Sequence, residues 1–103
     1  MTMRERKPVH PGEILSEDVL LELGLNANQV GEALGVPANR ISEILRGRRS
    51  ISADTALRLG RWLGSSPQFW LNLQRIYDLE VAEYEHGDQI VEEVKPLVRA
   101  LAS

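Results

Sequence analysis

Apolar side chains recur along the chain at helical spacing, and no stretch alternates residue by residue as a half-buried strand does. Leu15, Val19 and Leu23 stack at i, i+4, i+8 behind Pro11, which suits a first helical turn. Glu13 lies near the positive end and Gly24 is a stop, so a helix is expected from about 11 to 23. Asn26 is placed to cap a second, about 27 to 34, which Gly35-Val36-Pro37 breaks. Pro37 opens a third, running to about Arg46 and stopping at Gly47. Ser52 caps a fourth through about Leu63, with Ala56, Leu59 and Leu63 as its inner stripe, Trp62 at the edge and Gly64 after it.

Ser65-Ser66-Pro67 repeats the start signal for a fifth helix, to about Glu85. Its Phe69, Leu73, Ile76 and Tyr77 make one stripe, while Trp70, Leu71, Leu79 and Val81 carry apolar groups around the rest. A helix apolar on most sides needs more than one neighbour. In so small a protein the second neighbour is expected to be another subunit. Gly87-Asp88 is expected to end this helix and cap a last one, on which Ile90, Val91, Val94, Leu97, Val98 and Leu101 form an amphipathic pattern. Pro96 interrupts it, which predicts a kink or break near Lys95. The expectation is an all-α bundle of five to six helices in one domain: a mobile arm over 1–9, a core over 10–64, and C-terminal helices over 65–103 for dimerisation.

A length of 103 residues agrees with one domain, and 43% hydrophobic with 26% charged residues is the composition of a globular chain. No apolar run approaches the ~18 to 20 residues that cross a bilayer. The start, MTMRERKPVH, has no secretory core, so a cytoplasmic location is expected, and the absence of cysteine agrees. The net charge of −3 conceals a division. Residues 37 to 62 carry six basic side chains (Arg40, Arg46, Arg48, Arg49, Arg58, Arg61) against two acidic ones. From Asp78 onward, seven acidic groups face two basic ones. One half attracts phosphate and the other repels it.

That division gives meaning to residues 27 to 46. Small residues stand at Ala27 and Gly31, a turn glycine at Gly35, and apolar groups at Val30, Leu34, Val36, Ile41 and Ile44. This is the spacing of a helix-turn-helix, whose second helix enters the DNA major groove. At ~100° per residue Ile41, Ile44 and Leu45 share one face of the second helix, and Asn39, Ser42, Glu43 and Arg46 the other. For base edges the candidates are Ala38 (thymine methyl), Asn39 (adenine), Arg40 (guanine, if it swings into the groove), Ser42 and Glu43 (cytosine N4). Glu43 alternatively pairs with Arg40 or Arg46. For phosphates they are Asn28, Gln29, Arg46, Arg48, Arg49 and Ser52.

Other chemistries find little support. There is no Gly-rich phosphate loop and no acid–base–nucleophile spacing, so an enzyme is not expected. His10 and His86 have no second close histidine or cysteine and read as capping or surface residues; no metal, cofactor or small-molecule ligand is expected. Phe69, Trp70, Tyr77 and Tyr84 read as core or dimer packing at helical spacing. The acidic tail is either a solvated face or the counterpart of a basic partner.

Four phrases then stand together in order: His10-Pro11-Gly12-Glu13-Ile14-Leu15; Gly35-Val36-Pro37-Ala38-Asn39-Arg40-Ile41-Ser42-Glu43-Ile44; Ser52-Ala53-Asp54-Thr55-Ala56-Leu57-Arg58-Leu59; and Ser66-Pro67-Gln68-Phe69-Trp70-Leu71-Asn72-Leu73-Gln74. Over roughly residues 8 to 83 the chain resembles the HigA-type antitoxins, a branch of the Xre/Cro-like helix-turn-helix repressors with a lambda-repressor-like fold. The resemblance implies a homodimer that binds double-stranded operator DNA at its own toxin–antitoxin operon, represses it, and neutralises a RelE-like messenger-RNA-cleaving toxin. A stand-alone repressor of the Cro type would carry the same DNA-reading residues. The expected dimer contacts are Trp70, Leu71, Leu79, Val81, Val94, Leu97, Val98 and Leu101.

Overall fold

The computed structural model describes residues 7–98. The expectations for the arm before residue 7 and for Leu101 lie outside them. Within them the chain forms five helices and no strand. Helix α1 spans residues 11–23 as α-helical Pro11–Ile14, π-helical Leu15–Leu20 and α-helical Leu21–Leu23. It is followed by α2 (Ala27–Leu34), α3 (Ala38–Leu45), α4 (Ala53–Leu63) and α5 (Pro67–Glu93).

The starts follow local chemistry. Asn26 and Gln29 form a reciprocal capping box on α2, each side-chain oxygen accepting from the other's backbone N–H at 2.9 Å. The Ser52 hydroxyl accepts from Thr55 N–H on α4, and Ser66 from Phe69 N–H on α5, with Pro67 at the first helical position. Each such cap contributes about 1 kcal/mol.

The π-helical stretch changes which side of α1 is buried. Its wider i→i+5 turn, with Leu21 N–H donating to Ser16 C=O, puts Leu20 one turn after Leu15. The expected stripe of Leu15, Val19 and Leu23 is therefore corrected: Leu15 and Leu20 are buried, Val19 is half-buried and Leu23 is exposed. The core takes Val30 and Leu34 from α2, Ile41 and Ile44 from α3, Ala56 and Leu59 from α4, and Trp70 from α5. Burying each large aliphatic side chain stabilises the fold by about 1.5–3 kcal/mol.

Two of the close approaches that need glycine set the position of α3. A Cβ on Gly12 would overlap the Ile44 carbonyl oxygen, so the start of α1 lies directly against the end of α3. A Cβ on Gly31 would come 2.9 Å from the Val36 carbonyl oxygen, inside the turn between α2 and α3.

The largest departure is at the C-terminal end. Helix α5 runs through Gly87-Asp88 without a break, so the expected sixth helix does not exist among the described residues. It stops at Glu93, two residues before Lys95, whose helical conformation the Pro96 ring disfavours. The break near Lys95 was expected; the one at Gly87 is absent. At 27 residues α5 is about 40 Å long. Its buried residues, Trp70 and Gln74, lie within its first eight residues, and everything after Gln74 is half-buried or exposed.

Candidate nucleic-acid interface

Helix α3 is fixed from behind and open in front. Ile41 and Ile44 are wholly buried, whereas Asn39 is exposed and Ala38, Ser42 and Glu43 are half-exposed. At ~100° per residue, Ala38, Asn39, Ser42, Glu43 and Arg46 share an arc of about 140°. Pro37 offers no side-chain cap to the start of α3, and the Arg40 N–H donates instead to the Pro37 C=O at 3.0 Å.

The loop after α3 is held at both ends. Gly47, at φ 75°, takes the left-handed conformation while its N–H donates to Ile44 C=O and Arg48 N–H donates to Glu43 C=O. This Schellman closure turns the chain sharply and sets Arg48 and Arg49 beside the end of α3, both exposed. Ile51 then plugs into the core, and its N–H donates to Gln74 Oε1 at 2.8 Å. Gln74, on α5, also donates from Nε2 to Asp78 Oδ1 at 2.9 Å. Its amide is thus oriented from both sides.

His10 holds the other end of the loop. Its Nδ1 accepts from Gly12 N–H at 2.8 Å, its ring lies over Gly47, and Tyr77 of α5 meets it edge-on at 4.8 Å between centroids. Burial lowers the His10 pKa below its ordinary 6.5, against opposing pulls from Asp78, Glu13 and the Arg49 carbonyl. The neutral ring is the form that can accept at Nδ1.

Arg40 departs from the other base-reading candidates. It lies on the flank of α3, and its Nη1 donates to Asp54 Oδ2 on α4 at 3.0 Å. The same oxygen accepts from Arg58 Nε at 2.8 Å, and Arg58 Nη1 donates to the Leu34 carbonyl at the end of α2. The Arg58 hydrogen bond, and then that of Arg40, hold the Asp54 carboxyl below its usual pKa. Glu43 pairs with neither Arg40 nor Arg46 among the described residues. Of the phosphate candidates, Asn28, Gln29, Arg46, Arg48, Arg49 and Ser52 are all exposed, with Gln29 Oε1 and the Ser52 hydroxyl already engaged in caps.

A helix-turn-helix family model matches residues 17–70, just over half the chain. Antitoxin HigA-1 of Vibrio cholerae is 34% identical over 101 residues, covering 98% of this chain and 94% of that protein. The solved Pseudomonas aeruginosa antitoxin HigA, determined with the higBA promoter, superposes at a TM-score of 0.87 with 44% identity, covering 89% of this chain and all of that one. The chain belongs to the HigA antitoxin family. An addiction-module antidote protein of the HigA family from Coxiella burnetii agrees, at 48% identity and a TM-score of 0.85 over 89% of this chain.

For a HigA-family chain the expected dimer contacts need sorting. Trp70 is corrected to a core residue, 2% exposed, and so is closed to a second chain. Leu71 packs against the core, and Val81 is half-buried on the same side of α5 as Gln74. Leu79, Val94, Leu97 and Val98 are exposed. With Leu79 stand Phe69, Ile76 and Ile90, all exposed and within an arc of about 80° on α5, well round the helix from Trp70 and Gln74. Of the expected stripe of Phe69, Leu73, Ile76 and Tyr77, Leu73 and Tyr77 are half-buried and Phe69 and Ile76 are exposed, and the buried side is the one carrying Trp70.

Sequence reasoning did not find Gln74 or Asp54. Gln74 stands one turn after Trp70 on the same face, a polar residue at a core register position, and that was its only signal. Asp54 stood only within the phrase from Ser52 to Leu59, and nothing local joined it to Arg40.

Proposed function

We propose that this chain is a homodimeric antitoxin that represses its own operon by placing α3 in the major groove of operator DNA, and that it neutralises a RelE-like messenger-RNA-cleaving toxin. The observation that carries the DNA reading is the open polar face of α3 beside an arginine loop anchored on α5. Its relatives support it: the P. aeruginosa antitoxin HigA is solved with the higBA promoter, and antitoxin GraA, 45% identical at a TM-score of 0.87, in complex with its operator.

In this reading Ala38, Asn39, Ser42 and Glu43 meet base edges, with Arg40 reaching in from the flank. Arg46, Arg48 and Arg49 meet phosphates, and Asn28, Gln29 and Ser52 at the starts of α2 and α4 add neutral contacts. The Phe69, Ile76, Leu79 and Ile90 stripe is the seam between two copies, since one recognition helix reads only a few base pairs and two must sit about 34 Å apart. The acidic distal half of α5 stays clear of the phosphates and offers the charge that a basic toxin would meet.

Co-expression with the product of any neighbouring reading frame that encodes a small basic protein tests the toxin half. The two are expected to co-purify, and growth is expected to be restored. A chain that binds its upstream DNA but forms no complex and gives no rescue is a stand-alone repressor.

A further inference from the structure

Residues 37 to 62 hold only two acidic side chains, Glu43 and Asp54, among six arginines. Asp54 takes both of its arginine partners on one oxygen, Arg58 Nε at 2.8 Å and Arg40 Nη1 at 3.0 Å. Arg58 is in turn tied to the Leu34 carbonyl at 2.8 Å. The Arg40 guanidinium is therefore referenced, through Asp54 and Arg58, to the end of α2. The two helices of the helix-turn-helix and α4 are joined through three side chains.

Stability is a poor account of this arrangement. The Asp54 side chain is 56% exposed, and ion pairs open to solvent and salt add little to stability. Geometry is a better one. An arginine recognises guanine through two parallel N–H groups, and a free guanidinium can offer either of its two forks in many orientations. With Nη1 held by Asp54, the fork made by Nε and Nη2 is the one left to face outward. A carboxylate close to DNA also repels phosphate, so its presence there lowers affinity for DNA of any sequence.

We infer that Asp54 is a specificity-determining positioning residue: it fixes the orientation of the Arg40 guanidinium, and so sets which base pair Arg40 reads and how strictly. This rests on the reading of Arg40 as facing DNA. Loss of the Asp54 carboxylate frees Arg40 to pair with any nearby phosphate. Binding to unrelated DNA then strengthens while discrimination at the Arg40 base pair weakens.

The experiment measures the full chain on a duplex containing the DNA upstream of its own reading frame and on all its single-base variants. Wild type, Asp54→Ala, Arg40→Ala and the double variant are compared, with thermal midpoints recorded to show that each is folded. Arg40→Ala is expected to flatten preference at one position in each half-site. Asp54→Ala is expected to cut preference at that same position by about tenfold, within the range of a single bidentate contact. In the Arg40→Ala background, Asp54→Ala is expected to leave the base-preference profile unchanged. Three results would overturn the inference. In the first, Asp54→Ala scales affinity for every duplex by one factor, the signature of a charge effect alone. In the second, its effect on base preference persists without Arg40. In the third, Arg40→Ala leaves every preference intact, which also removes Arg40 from the proposed reading set; the first two leave that reading standing.

Discussion

Asn39 is the exposed residue of the first turn of α3, with the buried Ile41 and Ile44 holding its backbone in place. A side-chain amide in that position can take adenine N6 and N7 together, worth about 1–3 kcal/mol against the wrong base. Asn39→Ala should therefore flatten base preference at one position per half-site, whereas Arg48→Ala should weaken binding to every sequence and make the salt dependence shallower by about one charge. Competition binding at several salt concentrations separates the two. Equal losses for both variants on all sequences would contradict this division. His10 carries a second expectation, about pH. Burial lowers its folded pKa below the unfolded value of 6.5, so the unfolded chain takes up a proton that the folded chain resists. The stability this adds is complete above about pH 6.5 and is lost as pH falls through 6.5 toward the lower folded value. Thermal midpoints from neutral to mildly acidic pH should fall more steeply for wild type than for His10→Asn, which keeps a capping oxygen but does not titrate.

Helix boundaries depended on how local their causes are. The caps at Asn26, Ser52 and Ser66 and the stop at Pro96 are decided by residues within one turn, and the sequence displays them directly. Gly87 misled because a glycine stops a helix only when the chain must turn left-handed after it. Here it stays outside the positive-φ glycines, with helix-forming residues on both sides. The π-helical turn in α1 depends on the fit of Leu20 into a core built by four other helices, and the Gln74 bond to Ile51 N–H spans 23 residues. Neither leaves a local pattern. The open polar face of α3 was legible because α3 is short and amphipathic, while the tether on Arg40 reaches 14 residues along the chain. The continuity of α5 makes a prediction of its own. A Cβ on Gly87 would touch nothing closer than 4.0 Å, so Gly87→Ala should stabilise by about 0.5–1 kcal/mol, seen as a rise in thermal midpoint at fixed protein concentration. A fall would mean that another chain lies close against that glycine.

The molecule separates its charges along its length, with arginines around α3 and the following loop and carboxylates along the distal half of α5. Helix α5 joins the two regions. Its inner face grips the arginine loop through Gln74 and, with Tyr77 against His10, the turn at Gly47. Its outer face shows Phe69, Ile76, Leu79 and Ile90. The proposed seam therefore lies on the same helix that sets the loop, so pairing two chains would also fix the distance between two recognition helices. Leu79→Glu combined with Ile90→Glu should give a folded monomer in sedimentation, with operator affinity lowered on the order of a hundredfold because the second half-site is no longer linked to the first. The account as a whole is tested most directly by anisotropy of the full chain on the duplex upstream of its own reading frame, beside versions with one and with both half-sites scrambled. It predicts binding at least about a thousandfold tighter to the intact duplex than to the fully scrambled one, with the half-scrambled duplex between them. Equal affinity for the intact and fully scrambled duplexes would contradict it.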